Sequence, residues 1–282
     1  MKWDKEAKEL LGRVPLFVRW KVKRRVEEEA RRVGAKVVRL EHVISSQRRF
    51  LERMEEEVKG WRVETCFGPT GCPNRAVKEE IAGRLEELLK GKELKEFLKG
   101  KVEDSLKIHH EFSVSVSDCP NACSRPQIAD IGLIGAREPQ ISAEGCTLCE
   151  ACVHVCEERA ISLRDNGPVI DRNRCLCCGK CIEACPTGTL REGRRGYRIM
   201  VGGKLGRHPR LGEEIGGIYS PEEVIRIVDG CVDYYKMHCE GGERLREIME
   251  RRGLGELIMA VKGRWGGLDI KGFALNNPRE NF

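Results

Sequence analysis

The sequence predicts an α+β chain that carries a short cysteine-rich insertion. Three observations lead there. Apolar residues recur at helical spacing near both ends, they alternate at strand spacing in the middle, and 13 of the 15 cysteines fall between positions 66 and 185. A length of 282 residues suits one or two domains, and a hydrophobic share of 40% is enough for a packed core. Charged residues make up 34%, and Gln occurs only at Gln47, Gln127 and Gln140, a balance that leans toward thermophilic proteins. No apolar stretch approaches the roughly 18 residues that a membrane span needs. The opening Met1-Lys2-Trp3-Asp4-Lys5-Glu6 lacks the apolar core of a signal peptide. A soluble, cytoplasmic chain with no membrane partner is expected.

Residues 1–57 read as a helical module. Pro15 suits the first turn of a helix and Gly34 its C-terminal cap, with Val18, Val22, Val26, Ala30 and Val33 along one face between them. The other face is Lys and Arg followed by Glu27-Glu28-Glu29, the make-up of solvated surface. A second short helix is expected over 46–58. A domain over 58–138 follows, in which 73–99 reads as charged helix with Ile81, Leu85, Leu88 and Leu89 on one side. Over 107–117, Ile108, His110, Phe112, Val114 and Val116 share one face of a strand that ends at Ser117-Asp118. Ile128 to Ile134 reads as a buried strand. Residues 139–190, Cys-rich and punctuated by Gly and Pro, read as an inserted domain. In the last segment, 191–282, a strand resumes over 197–202, and helices are expected at roughly 221–239 and 243–252. The tail after 263 is Gly- and Asn-rich and suggests no element.

Fifteen cysteines in 282 residues are too dilute for a disulfide scaffold, and their number is odd. In a reducing compartment, clustered thiols point to metal. Cys146-x2-Cys149-x2-Cys152-x3-Cys156 recurs as Cys175-x2-Cys178-x2-Cys181-x3-Cys185-Pro186. This is the spacing of a unit holding two 4Fe-4S clusters: three thiolates on a short loop reach one cluster, and the fourth points to the other. Cys146, Cys149, Cys152 and Cys185 are therefore expected on one cluster, and Cys175, Cys178, Cys181 and Cys156 on the second. The paired C-x2-C units of a zinc ribbon would leave the third and fourth cysteine of each run unexplained. Glu157 departs from the pattern, standing where Pro often follows. Cys177 reads as an extra thiol in a loop, with a swapped ligand as the alternative, and His154 as cover for a cluster, not a ligand. Cys231 and Cys239 fall in one expected helix, about 12 Å apart along its axis, too far to share a metal.

Cys66-Phe-Gly-Pro-Thr-Gly-Cys72 and Cys119-Pro-Asn-Ala-Cys123 form a split constellation. They are either two structural pairs or, in this order with Gly and Pro between them, a third cluster site. The combination of C-x5-C with C-P-N-x-C resembles the coupled 4Fe-4S and sirohaem site of sulfite and nitrite reductases. The likeness runs on through Cys-Pro-Asn-Ala-Cys-Ser-Arg-Pro-Gln-Ile-Ala-Asp-Ile-Gly-Leu-Ile-Gly at 119–135 and resumes at Val201-Gly-Gly-Lys-Leu-Gly-Arg-His-Pro-Arg210. A ferredoxin insertion between these blocks is similar to the dissimilatory and anaerobic sulfite reductase subunits. The resemblance implies that Cys66, Cys72, Cys119 and Cys123 hold the cluster and that Cys123 also bridges to the sirohaem iron. It implies that Asn121 and Arg125 lie against the macrocycle, and that Lys204, Arg207 and Arg210 meet its carboxylates or an anionic substrate. Cys123, Arg125, Lys204 and Arg207 would then form the catalytic centre. A ring fringed with carboxylates calls for such cations. Residues 1–50 resemble instead the small helical module at the end of a subunit of light-independent protochlorophyllide reductase. That likeness rests on Trp3-Asp4, Glu6-Ala7, Val14-Pro15-Leu16-Phe17-Val18-Arg19 and the Glu-rich helix to Gly34. A generic charged helical hairpin has the same look.

Three oxidised clusters at roughly −2 each would about offset the formal charge of +6, so the charge is no nucleic-acid footprint. The expected architecture is a sulfite-reductase-like sirohaem/4Fe-4S domain with an inserted 2×4Fe-4S ferredoxin domain and an N-terminal helical module. The expected function is passage of electrons from a redox partner through the ferredoxin-type clusters to a coupled centre that reduces sulfite or a similar oxyanion. The alternatives are a non-catalytic iron–sulfur electron-transfer subunit and a sirohaem-type tetrapyrrole-binding protein. One part of the family pattern has no match: the module ahead of the first cysteine pair, which supplies arginines over the distal face of sirohaem. Reducing an oxyanion needs cations around it. Either a partner subunit or a second copy of the chain completes the site, or the substrate differs, or the chain no longer reduces an oxyanion.

Overall fold

The first helix starts where the Asp4 carboxylate accepts the Ala7 backbone N–H at 2.8 Å, an N-cap that satisfies one orphan donor. The computed structural model describes residues 1–103, 105–265 and 270, and divides into two units. The first is Met1–Lys59 with the segment 102–109. In it β1 (Lys2–Trp3) pairs in parallel with β2 (Val37–Val38), and α1 (Lys5–Gly12), α2 (Leu16–Arg32) and α3 (Leu40–Glu57) pack together. The core is Trp3, Ala7, Leu11, Val26, Ala30, Val38 and Val43. The Trp3 indole donates to Glu27 at 2.9 Å. Of the expected apolar stripe, Val26 and Ala30 are buried; Val33, past the end of α2, is exposed. Gly34 follows at φ +73°, the left-handed stop its position suggests. Helix α3 begins at 40, not 46.

The second unit is built on a five-stranded mixed sheet in the order β3-β4-β5-β8-β9. Strands β3 (Trp61–Thr65), β4 (Phe112–Ser117) and β5 (Ile131–Ile141) run parallel. Strand β8 (Leu190–Val201) returns antiparallel along β5, and β9 (Glu213–Tyr219) pairs antiparallel with β8. All six residues of β4 are buried. Phe112 meets Tyr235 of α8 (Pro221–His238), with ring centroids 5.2 Å apart. The alternate Ser113, Ser115 and Ser117 bond to Asp130 and Ser124. Helix α8 starts at a capping box in which Ser220 and Glu223 each accept the other's backbone N–H, with Pro221 first in the helix. It packs on β8 and β9, and α4 (Ala82–Lys90), α9 (Leu245–Arg252) and α10 (Leu254–Arg264) pack against it.

Several boundaries differ from the pattern of the sequence. The 73–99 stretch is helical only in α4 and α5 (Leu94–Lys99), separated by a turn in which Glu93 takes φ +52°. Ile108–His110 is a 3-10 turn, so β4 begins at Phe112. Pro126–Ile128 is likewise a 3-10 turn, and β5 starts at Ile131. It then runs on to Ile141, because β8 supplies partners from Val201 back to Leu190, with a register shift that admits Pro139. Helix α10 was not anticipated, and the tail after 264 lies mostly outside the described residues.

The long β5/β8 ladder carries the Cys-rich segment at its tip. Ile141 pairs with Leu190, so the excursion proper spans 142–189. It contains α6 (Ala151–His154), the hairpin β6 (Ile161–Arg164) and β7 (Gly167–Ile170), and α7 (Lys180–Ala184). Cys152, Ile161, Cys181 and Leu190 form its small core. No helix among the described residues is long and apolar enough to cross a membrane.

Cys231 is fully buried within α8, where burial pushes its thiol up to about 12. Cys239 ends α8 and its thiol donates to the Glu243 carbonyl at 3.4 Å. Replacing both by Ser should leave bound iron unchanged. The Cys231→Ser step should cost about 1–3 kcal/mol for burying a hydroxyl, read by denaturant unfolding; loss of one cluster's worth of iron would contradict this assignment.

Candidate functional site

The two halves of the split constellation meet because β3 and β4 are parallel neighbours. Thr65 pairs with Val116, so the loops that follow leave the sheet side by side. This is the carboxyl end of the strands, where open sheets present their sites. Cys66 and Cys72 lie on the first loop, Cys119 and Cys123 on the second. The backbone N–H groups of Gly68 and Asp118 donate to Cys66 Sγ at 3.3 and 3.4 Å. Burial holds the Cys119 thiol above its ordinary value, and the nearby Cys123, Cys66 and Cys72 add to the shift. Cys119 is buried, Cys66 and Cys72 are half-buried, and Cys123 is exposed. Ala122 and Arg125 hold the second loop in its turn at φ +52° and +58°.

The two runs of the insertion keep their repeat in the backbone. Leu148 and Cys177 both take φ +57°, Glu150 and Gly179 take +61° and +81°, and Arg159 and Gly188 take +50° and +73°. Each pair holds equivalent places in the two runs, so Cys177 occupies a left-handed turn position. The fold interleaves the fourth cysteines. Cys146, Cys149, Cys152 and Cys185 line one small cavity with Leu163, Pro168 and Leu190. Cys156, Cys175, Cys178 and Cys181 line another, of about 110 Å³. Burial raises Cys152, as do Cys146 and Cys185 beside it. Burial pushes Cys181 up to about 12, with Cys178, Cys175 and Cys156 contributing. A hydrogen bond from Cys177 lowers Cys175, in spite of burial. Backbone N–H groups point at sulfur here too: Leu148 to Cys146 at 3.4 Å, Ala160 to Cys156 at 3.2 Å and Leu190 to Cys185 at 3.4 Å.

These features test what the thiols can hold. Among the described residues, no three His, Cys, Asp or Glu side chains converge on one metal ion. Thiolates of an iron–sulfur cluster sit on separate irons, and N–H groups aimed at sulfur stabilise their negative charge. All three groups of four fit that donor set.

The basic residues divide. Arg125 and Arg62 line a cavity of about 100 Å³ with Ser113, Ser115, Ser124 and Leu205. Arg62 was not singled out in the sequence. Its Nε is shielded from solvent and has no hydrogen-bond partner among the described residues. The signal was there, since strand alternation from Cys66 places Arg62 and Glu64 on one face. Lys204 is engaged by Glu247, and Arg210 lies 3.6 Å from Glu250. Lys204 and Arg210 also pair through their backbones at 2.9 Å, closing a loop on whose outer part Arg207 and His208 are exposed. Asn121 is exposed and lines the 110 Å³ cavity. Both cavities are below the roughly 300 Å³ at which small-molecule pockets begin, so a macrocycle has only an open face here.

A mixed sheet that presents clustered thiols at its strand ends and a doubled cysteine repeat at a hairpin tip defines an iron–sulfur protein. Residues 61–267 match the nitrite and sulphite reductase 4Fe-4S domain, and the chain belongs to that family. Residues 3–45 match the proto-chlorophyllide reductase 57 kD subunit. Over 166 residues the chain is 36% identical to the coenzyme F420-dependent sulfite reductase of Methanocaldococcus jannaschii, covering 57% of this chain and 27% of that one. It is 27% identical over 172 residues to the dissimilatory-type sulfite reductase subunit beta of Nitratidesulfovibrio vulgaris, covering 53% and 45%. Its backbone overlays a crystal structure of dissimilatory sulfite reductase I with a TM-score of 0.44 at 19% identity, covering 71% and 51%. The chain thus spans 27% and 45% of the two relatives' own lengths.

The interleaving gives a direct test. In protein loaded with iron and sulfide, Cys156→Ala should remove the EPR signal of the cluster on Cys175, Cys178 and Cys181 and spare the other. Loss of the signal belonging to Cys146, Cys149 and Cys152 would contradict the pairing.

Proposed function

We propose that this chain is the iron–sulfur part of a sulfite-reductase-type oxidoreductase. It would take electrons from a redox partner into two clusters on the insertion, 139–190, and deliver them to a third on Cys66, Cys72, Cys119 and Cys123. The observation that carries the reading is the shared cavity: Cys156, Cys175, Cys178 and Cys181 line it together with Cys119, Pro120 and Asn121. One ferredoxin-type set thereby adjoins the split set. The set with Cys185 becomes the far, electron-accepting one.

Cys123 is the exposed thiol of the split set, and Arg125 is exposed beside it. Sirohaem, if bound through Cys123, would supply the multi-electron chemistry on sulfite. The chain's own part would be charge: Arg125, Arg62 and Arg207 toward ring carboxylates or the oxyanion. Arg62, Lys204 and Arg210 would have to leave Glu64, Glu247 and Glu250 to take part. A partner subunit or a second copy would supply the further cations of the cage. The engaged Lys204 favours a second reading, an electron-transfer subunit without a productive haem. A visible spectrum separates the two, because sirohaem absorbs strongly in the red and clusters alone give a broad brown shoulder.

Protein reconstituted anaerobically with iron, sulfide and sirohaem, alone and with any co-purifying partner, should retain the ring and turn over sulfite. Cys123→Ser should abolish that turnover and shift the haem band while both ferredoxin-type EPR signals survive. Failure of the wild type to retain the ring under either condition would leave the second reading.

A further inference from the structure

The two runs share a backbone but differ in charge. Glu157 follows Cys156, where Pro186 follows Cys185, and Lys180 stands between Cys178 and Cys181, where the first run has Ala151. These two departures meet. The Lys180 ammonium donates to the Glu157 carboxylate at 2.6 Å, joining the end of one run to the helix of the other. Both residues line the 110 Å³ cavity between the near set of cysteines and Cys119. Lys180 stands two residues after Cys178 and immediately before Cys181, in a wall that it shares with Cys119. The other two cations of that wall are engaged elsewhere: Arg75 by Asp118 at 2.9 Å, and Arg137 by Glu183 and Glu192, with its backbone N–H donating to the Cys177 carbonyl at 2.6 Å. Among the described residues Lys180 has one carboxylate partner, Glu157, and the equivalent place in the far run holds Ala151.

We propose that Lys180 and Glu157 together tune the reduction potential of the cluster on Cys156, Cys175, Cys178 and Cys181, the ammonium raising it and the carboxylate lowering it. The proposal rests on reading these cysteines as cluster ligands. Reduction adds one electron to an already anionic cluster, and a nearby ammonium lowers the energy of the added charge. With both clusters bound, the pair would tune the near one alone, since the equivalent places beside the far set hold Ala151 and Pro186. The Lys180 side chain is 38% exposed, so ions in solution weaken the effect.

The test is an EPR-monitored redox titration of iron-loaded protein at low salt. Lys180→Gln should move the near cluster's midpoint to more negative values by a several-fold change in its one-electron equilibrium, where tenfold is about 59 mV. Glu157→Gln should move it the other way, Lys180→Arg should restore the wild-type value, and the far cluster should stay put in all three. Raised salt should shrink the shifts. If Lys180→Gln loses iron, the opposite-sign shift in Glu157→Gln decides. Unchanged midpoints with both signals intact, or equal shifts in both clusters, overturn the role of Lys180. Absence of both signals from the loaded wild type overturns the ligand reading itself.

Discussion

Between Ser117, the last residue of β4, and Cys119 stands Asp118, which ties down three parts of the chain at once. Its N–H donates to Cys66 Sγ, its carbonyl accepts from Ala76 and Val77 at 2.8 and 3.1 Å, and its carboxylate takes Arg75 at 2.9 Å. Space for it is made by glycine: a Cβ on Gly68 would lie 2.0 Å from its carboxylate, and one on Gly135 2.2 Å from its carbonyl oxygen. Burial raises the Asp118 carboxyl, and Arg75 opposes the shift. Parallel pairing of β3 and β4 brings the two cysteine loops level; Asp118 locks them, and with them the 73–77 segment that walls the cavity toward the insertion. Loss of this carboxylate would release Arg75 and loosen both sides of the split site together.

Charge is arranged with comparable economy around the sheet. Asp130, wholly buried, accepts from the N–H and hydroxyl of Ser113 at 2.8 Å each and from Arg244 Nε at 3.0 Å. Arg244 in turn opens α9, whose Glu247 accepts the Arg244 N–H at 2.9 Å and also holds Lys204. The basic loop is therefore wired through one helix end to the strand that precedes the second cysteine pair. A buried pair of this kind gives fixed geometry more surely than net stability. Here it fixes where the loop bearing Arg207 begins.

The grouping of the cysteines was legible because spacing along the chain is a local constraint. The two x2-x2-x3 runs and the C-x5-C and C-x3-C loops are read directly along the chain, and the structure gathers those residues into three groups of four. Helix α8 was equally legible from Ser220-Pro221 and its apolar face. What the sequence hid depends on partners distant along the chain. Strand β5 reaches Ile141 only because β8 is there to pair with it. Lys204 looked free, yet Glu247 holds it. Arg62 looked like an ordinary strand residue until β4 and the 124–129 turn closed over it. Glu157 looked like a flaw in a motif until Lys180 was found opposite.

The β5/β8 ladder returns the chain at Leu190 to the residue opposite the one it left at Ile141. A module that departs and re-enters on one rung asks nothing of its host except an open hairpin end. Closing so long a loop costs only slightly more entropy than closing a short one, because the penalty grows with the logarithm of length. A hairpin with a tight turn at that rung would accept such a module without repacking of the sheet. The stalk also keeps the module in register: β5 and β8 belong to the same sheet as β3 and β4, whose loops carry the split set, and the nearer group of cysteines shares a cavity with Cys119.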